Sequence, residues 1–467
     1  MRLKKELHSI FWSVLMLFPL VLPAQDGAAQ AGEIRTAPLD SLFTMTYYLP
    51  SQYDSSASWP VIFVFDPSGR GDVAVDRFRT AAEKYGYIVA ASDGIMNGSY
   101  QRNYQRARTL FEKAKTKFHL DSINQFTAGF SGGARLASAI AGLSKNIRGV
   151  LSAGAGVNSR YLAVDQIEPF VFIGMAGDKD FNFAEVKASE VLLRSIKYPH
   201  EMIWFEGEHD WPPYEVIEKA VRDLSVRMHS RGQQKRSAEE LNVMYNEEIA
   251  YNQKLRQEGN MVWAYENLEK MRSWYGFLDK DRDLKDEMKE VKRLKGFRSQ
   301  RSDLDYIDEI EQLYLQEYLK FLMDDIGVGE LEALGYWDQE LKHIEKSFVD
   351  HKEEAYRKMA FRIIAMLRLV GDKANKELKE PEHFKQLLFT NIFLTLTDKK
   401  DYDAYLESVR FAVALGEYEI ALYYTDKLLE NEFKDIERLR NYPGITLLRI
   451  QPEFGEVLEK YGFDPRF

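Results

Sequence analysis

Cysteine is absent from all 467 residues. That excludes disulfides, thiolate metal sites, a thiol nucleophile and a lipid carried on an N-terminal cysteine, so the folded chain must be held by its apolar cores. Histidine is scarce, with eight residues, and no His-x-x-x-His pair occurs. No metal centre is therefore expected. A phosphate-cradling Gly-Lys-Ser/Thr loop is missing too, and the chemistry expected here needs no cofactor. Lys and Arg form no run, and 63 of them against 73 Asp and Glu leave a net charge of −10, which argues against nucleic acid as a partner. Long apolar runs are confined to the N-terminus. There a basic "MRLKK" precedes "IFWSVLMLFPLVLPA" and then the small residues of "AQDGAAQAG". This is the layout of a secretory signal peptide over 1–31, cleaved after Ala24 or Ala31, and predicts a periplasmic or secreted protein with no membrane span in its mature chain.

What is present falls into two textures. Hydrophobic residues make up 45% and aromatics 13%, enough for sizeable cores, and the length suits two domains. Ten of the 14 prolines lie before residue 235 and four after it. The first half alternates apolar β-type runs (42–50, 59–65, 87–92, 125–130, 147–156, 169–177 and 200–207) with helical stretches (74–84, 103–118, 132–143, 183–196 and 212–229). Several of the runs are continuously hydrophobic, as in strands covered on both faces, so the pattern predicts an α/β domain over 35–232 with a mostly parallel sheet and helices on both faces. The polar "HSRGQQKRSAEE" (229–240) reads as a linker, with the boundary near 233. Residues 236–467 read as amphipathic helix after helix, an all-α solenoid or bundle.

In "QFTAGFSGGARLASAIAGL" (125–143), Ser131 sits at the turn from a strand to a helix rich in small residues. A chance Gly-x-Ser-x-Gly occurs in roughly one chain in seven of this length, so the motif alone is weak. Its position is the stronger signal. Glycines two before and two after the serine let strand and helix approach, lifting the hydroxyl clear of the sheet edge. The helix N-terminus offers free N–H groups toward developing negative charge. A serine nucleophile needs a base, and three histidines follow it in this half. His200 opens a strand, at the wrong end of the sheet. His229 closes a helix. His209, in "GEHDWPP" after the last strand, lies at the carboxyl edge, where parallel sheets carry their sites. The acid that orients it should come from "GMAGDKDFNF", with Asp180 expected and Asp178 as rival; either could instead cap the helix beginning near Phe183. The oxyanion donors expected are the N–H of Gly132 and, from "DPSGRG" after the third run, the N–H of Ser68, with Gly69 as rival, since Pro67 has none.

These residues resemble the α/β-hydrolase superfamily, and in particular the compact esterases around polyhydroxybutyrate depolymerases, feruloyl esterases and dienelactone-hydrolase-like enzymes. The resemblance is carried by "TYYLPSQY…WPVIFVFDPSGRG", "GFSGG", "GMAGDKDFNF" and "GEHDWPP" and covers about residues 40 to 230. It implies a serine esterase: Ser131 attacks, His209 serves as general base and then acid, Asp180 orients it, and water releases an acyl-enzyme. Where many relatives have His-Gly after the third strand, this chain has Asp66-Pro67.

In the second half, "GEYEIALYYTDKLLE" (416–430) resembles the second helix of a tetratricopeptide repeat, with Gly416, Ala421, Tyr423, Tyr424 and Leu428 on the expected packing face. Gly259 and Ala264 repeat the Gly-to-Ala spacing. Such a surface holds a protein partner or, packed on the first half, shapes the mouth of its site. The leading functional expectation is an exported serine hydrolase acting on an ester, with an acyl or aromatic ester on a carbohydrate among the candidates. A serine peptidase is the alternative within enzymes. A non-catalytic binding protein, with the hydrolase fold as scaffold and the helices binding a protein, is the alternative outside them.

Overall fold

The computed structural model describes residues 31–162 and 169–465. The signal-peptide reading therefore lies, apart from Ala31, outside the described residues. No helix among the described residues is long and apolar enough to cross a membrane.

Eight strands form one sheet: β1 (Ile34–Pro38), β2 (Thr44–Tyr48), β3 (Trp59–Phe65), β4 (Ile88–Ser92), β5 (Leu120–Phe130), β6 (Ile147–Ala153), β7 (Val171–Gly177) and β8 (His200–Phe205). Their spatial order is β1-β2-β4-β3-β5-β6-β7-β8. β2 runs antiparallel to both its neighbours, and β4 through β8 pair in parallel. The connecting helices are α1 (Gly71–Tyr85), α2 (Tyr100–Lys117), α3 (Gly132–Leu143), α4 (Phe183–Ser195) and α5 (Tyr214–Ser230). All seven apolar runs of the sequence contain a strand. The eighth, β1, was not expected: "IRTAP" is short, carries an arginine and a proline, and earns its place only by pairing with β2 at the sheet edge.

Strand periodicity sorts the core onto two faces. Ile62 and Val64 of β3 face α1 and α5, whereas Val61, Phe63 and Phe65 face α2, α3 and α4. All five are fully buried, at about 1.5–3 kcal/mol of burial each. Continuous hydrophobicity in β3 thus follows from helices on both sides, as the sequence predicts.

The chain continues into α6 (Ala238–Gln257), α7 (Met261–Trp274), α8 (Asp281–Arg293), α9 (Phe297–Val328), α10 (Ala333–Ile344), α11 (Glu354–Glu377), α12 (Phe384–Thr397), α13 (Tyr402–Leu415) and α14 (Tyr418–Glu430), with three shorter helices between Ile436 and Lys460. The stretch between α5 and α6 is pinned down. Arg236 donates to the Tyr85 carbonyl at 2.7 Å, Asn124 donates to that of Gln233 at 3.0 Å, and Ser237 caps α6 in a reciprocal box with Glu240. The apolar core does not break there. The cluster on the α1/α5 face runs on through Met244, Val262, Leu268, Trp274 and Met288 to Phe297, and a separate cluster begins at Ile307. In α14, Ala421 and Leu428 are buried, but Tyr423 is 55% exposed and does not join the packing face expected of it. The short helix turns past its neighbour with only one of the adjacent tyrosines inward, because consecutive residues lie about 100° apart on a helix.

Candidate active site

β5 lies in mid-sheet between β3 and β6, and its carboxyl end runs directly into the turn that carries Ser131. Ser131 adopts φ 51° and ψ −118°, a conformation that few non-glycine residues hold. Its N–H donates to the Ala153 carbonyl at 2.8 Å, tying the turn to the end of β6. The flanking glycines are there for backbone contact. A Cβ on Gly133 would lie 2.1 Å from the Phe65 carbonyl oxygen, and one on Gly129 would lie 2.5 Å from the Gly133 carbonyl carbon. Helix α3 therefore crosses the end of β3 and β5 at a separation that no side chain permits, and the serine between is forced outward.

His209 reaches Ser131 from the loop after β8, with its Nε2 2.9 Å from Oγ. On its other side, Nδ1 lies 2.8 Å from Asp180 Oδ1, in the loop after β7. Three segments separated by 29 and 78 residues thus form one hydrogen-bonded line at the carboxyl edge of the sheet. Asp180 is 1% exposed, and the backbone N–H of Asn182 donates to the same Oδ1 at 2.7 Å. Asn182 also donates from its side chain to the Gly154 carbonyl at 2.8 Å, locking that loop to the end of β6. The imidazole lies between Phe181 and Phe130, at ring separations of 4.0 and 4.7 Å.

The other candidates are placed elsewhere. Asp178, the rival acid, turns away from His209: its Oδ1 accepts from the Gly207 N–H at 3.2 Å and its Oδ2 pairs with Lys358 of α11 at 2.6 Å. His200 sits at the start of β8 with Nδ1 2.7 Å from the Tyr198 carbonyl, and burial lowers its pKa. His229 accepts from the Arg236 N–H at 3.1 Å.

Gly132 is the first residue of α3, so its N–H has no partner within the helix and remains available beside Ser131. The N–H groups of the second expected donor and of its rival are engaged elsewhere in this structure. The Ser68 N–H donates to Asp66 Oδ1 at 2.8 Å, and the Gly69 N–H to the Asp66 carbonyl at 3.1 Å, so both are turned into their own loop. The reason is Asp66, a buried carboxylate where relatives of the resembled family carry histidine. Burial alone would raise its pKa, but donors from Arg70, Trp211 and the Ser68 amide outweigh it and hold the carboxyl below its ordinary range. A carboxylate collecting that many donors recruits the nearest amides too. The Asn97 carboxamide lies against Gly132, its Oδ1 1.8 Å and its Nδ2 3.2 Å from where a Cβ on that glycine would stand. Neither Asn97 nor Asn182 was singled out in the sequence. Asn182 was legible as an Asx-type turn two residues after Asp180; Asn97, in a loop 34 residues from Ser131, was not.

A cavity of about 70 Å3 opens beside Gly132, with Pro67, Ile95, Met96, Asn97 and Leu136 among its walls. Larger cavities of about 270 and 1030 Å3 run along the seam with the helical half, and none of the three is lined by Ser131 or His209. No cluster of metal-ligating side chains occurs among the described residues.

The strand order, the antiparallel second strand and the sharp strand-to-helix turn together define the α/β-hydrolase fold, followed by an all-helical region. No family model and no curated protein matches the chain. Among solved structures it is similar to the S-formylglutathione hydrolase of Staphylococcus aureus, at 14% identity and a TM-score of 0.33, over 40% of this chain and 94% of that one. It is likewise similar to Est1E of Butyrivibrio proteoclasticus, at 10% identity and 0.34, over 42% and 99%. The acylaminoacyl peptidase of Pyrococcus horikoshii aligns at 12% identity and 0.34, and this chain spans only 43% of its length. Likenesses this distant say nothing of activity.

Proposed function

We propose that this protein is a serine hydrolase that cleaves a carboxylic ester through an acyl-enzyme. The observation that carries the reading is the unbroken line from Ser131 Oγ through both ring nitrogens of His209 to Asp180, built on a strained serine turn. In the proposed cycle His209 Nε2 takes the Ser131 proton as Oγ attacks the ester carbonyl. The same proton then passes to the leaving alcohol, and water enters by the reverse sequence. Asp180 holds the ring in the tautomer that leaves Nε2 free to accept. The Gly132 N–H receives the developing oxyanion, with the Asn97 amide as second donor in the orientation that presents Nδ2 to it. On the basic head and apolar run of residues 1–24 we further propose export, testable from the N-terminal mass of the protein recovered from its native host.

A fluorophosphonate probe tests the hydrolase reading. Wild-type protein is expected to label at Ser131 alone, as located by mass spectrometry of the peptide, and Ser131→Ala is expected not to label while folding normally. A folded wild type that fails to react would overturn the reading in favour of a binding protein. An ester panel from acetyl to octanoyl and feruloyl then identifies which acyl group the site accepts.

A further inference from the structure

We infer that the helical region belongs to the catalytic apparatus, because Arg362 of α11 is a positioning residue for the loop that carries Asp180. This inference rests on the hydrolase reading above. Arg362 is 4% exposed, and its guanidinium is shared between two regions of the chain. Nε and Nη2 take both carboxylate oxygens of Glu311 in α9, itself 2% exposed. Nη1 reaches 184 residues back in sequence to donate to the Asp178 carbonyl at 2.6 Å. The same guanidinium lies over the ring of Phe183, 4.6 Å from its centre.

Asp178 and Phe183 bracket Asp180. One cation therefore grips the loop two residues before the acid of the catalytic line and three residues after it. One helical turn earlier in α11, Lys358 adds a second hold through Asp178 Oδ2 at 2.6 Å. From the sheet side the loop is fixed by the Asp178 N–H to the Phe205 carbonyl at 2.9 Å and by Asn182 on Gly154. The backbone at Asp178 is thus clamped between the sheet and α11, and the Asp180 carboxylate is left with one place to point.

Stability alone is a poor reason for such a pair, since a buried ion pair seldom outweighs the hydration it forfeits against an apolar pair of similar size. Placement is a better one. Displacing a catalytic group by about 1 Å is enough to cost roughly a hundredfold in rate. Arg362 touches neither substrate nor the reacting atoms; it acts through the peptide of Asp178.

The test is the full-length double variant Glu311→Gln, Arg362→Met, which removes the tether without leaving an unpaired buried charge. With p-nitrophenyl acetate, kcat is expected to fall about tenfold to a hundredfold with KM within twofold of wild type. Hydrogen exchange at the amides of residues 178–183 is expected to speed up at least tenfold, and the rate of fluorophosphonate labelling to fall with kcat. Wild-type kcat together with wild-type exchange in the folded double variant overturns the inference. If that variant fails to fold, Lys358→Met loosens the same loop from a partly exposed position; a change in kcat without KM, with faster loop exchange, supports the tether, and no change in either overturns it. A wild type that neither turns over esters nor labels at Ser131 removes the hydrolase reading, while loop exchange still decides whether α11 holds the loop.

Discussion

Ser131 occupies a backbone region that costs a non-glycine residue about 1–3 kcal/mol, and the surrounding contacts leave it no alternative. The strain comes from Gly133, whose Cα passes so near Phe65 that strand and helix admit no side chain. Gly133→Ala is therefore expected to lower stability by roughly 1–3 kcal/mol in chemical denaturation and to reduce Ser131 labelling even at temperatures where the protein stays folded. Asn97, unmarked in the sequence, is the proposed second oxyanion donor. If its amide supplies the second oxyanion donor, Asn97→Ala lowers kcat by about a hundredfold with little change in KM, as read from steady-state ester hydrolysis. An unchanged kcat would return that role to the main chain of the 66–71 loop, with the Ser68 amide released from Asp66 when substrate binds.

At the scale of elements, α5 and α6 are joined through charge as well as apolar contact. Lys219 and Arg222 of α5, both buried, meet Glu248 of α6, with Asp223 and Glu201 alongside. Burial opposes ionisation of Glu248, but Lys219 and Arg222 outweigh it and hold its carboxyl down to about 2. Asp223 moves the other way, pushed up by burial and by Glu201 and Glu248. A carboxylate depressed in the folded state contributes stability above its unfolded value of 4.5 and loses that contribution as pH falls toward about 2. Glu248→Gln removes the carboxylate that Lys219 and Arg222 share, leaving them Asp223, Glu201 and Glu247, and is expected to cost about 1.5–3 kcal/mol at neutral pH. The gap between wild type and variant should narrow as pH falls from 4.5 toward 2, measured by denaturant titration at each pH. A gap constant across that range would show that Glu248 contributes by packing rather than by charge.

Across the whole molecule, the apolar core crosses from the sheet into α6, α7 and α8 without a break. A chain ending at 235 would lose Glu248 and uncover the α5 face that Met244, Leu268 and Trp274 cover. It is expected to be poorly soluble or to unfold without a cooperative transition, whereas a chain extended to residue 298 keeps that cluster whole and should melt as one unit by circular dichroism. Equal cooperativity in both would show that the sheet with its own five helices is sufficient.

The sequence by itself determined the α/β alternation and marked Ser131 and His209 at one edge of the sheet. Each rests on local physics: apolar runs of strand length, glycines around a turn, and a histidine after the last strand. The choice between Asp178 and Asp180 lay beyond it, since two aspartates two residues apart in one loop share every local property. Only the tertiary structure separates the two, giving Asp178 to Lys358 and the end of β8 and Asp180 to His209. The same holds for the 66–71 loop, where the turn was legible but the burial of Asp66 that redirects its amides was not. It holds again for the linker near 233, whose polar residues look solvated in sequence yet are bonded to the sheet domain and bridge a continuous core. Those outcomes depend on what distant segments bring within hydrogen-bond reach, and no local pattern encodes that.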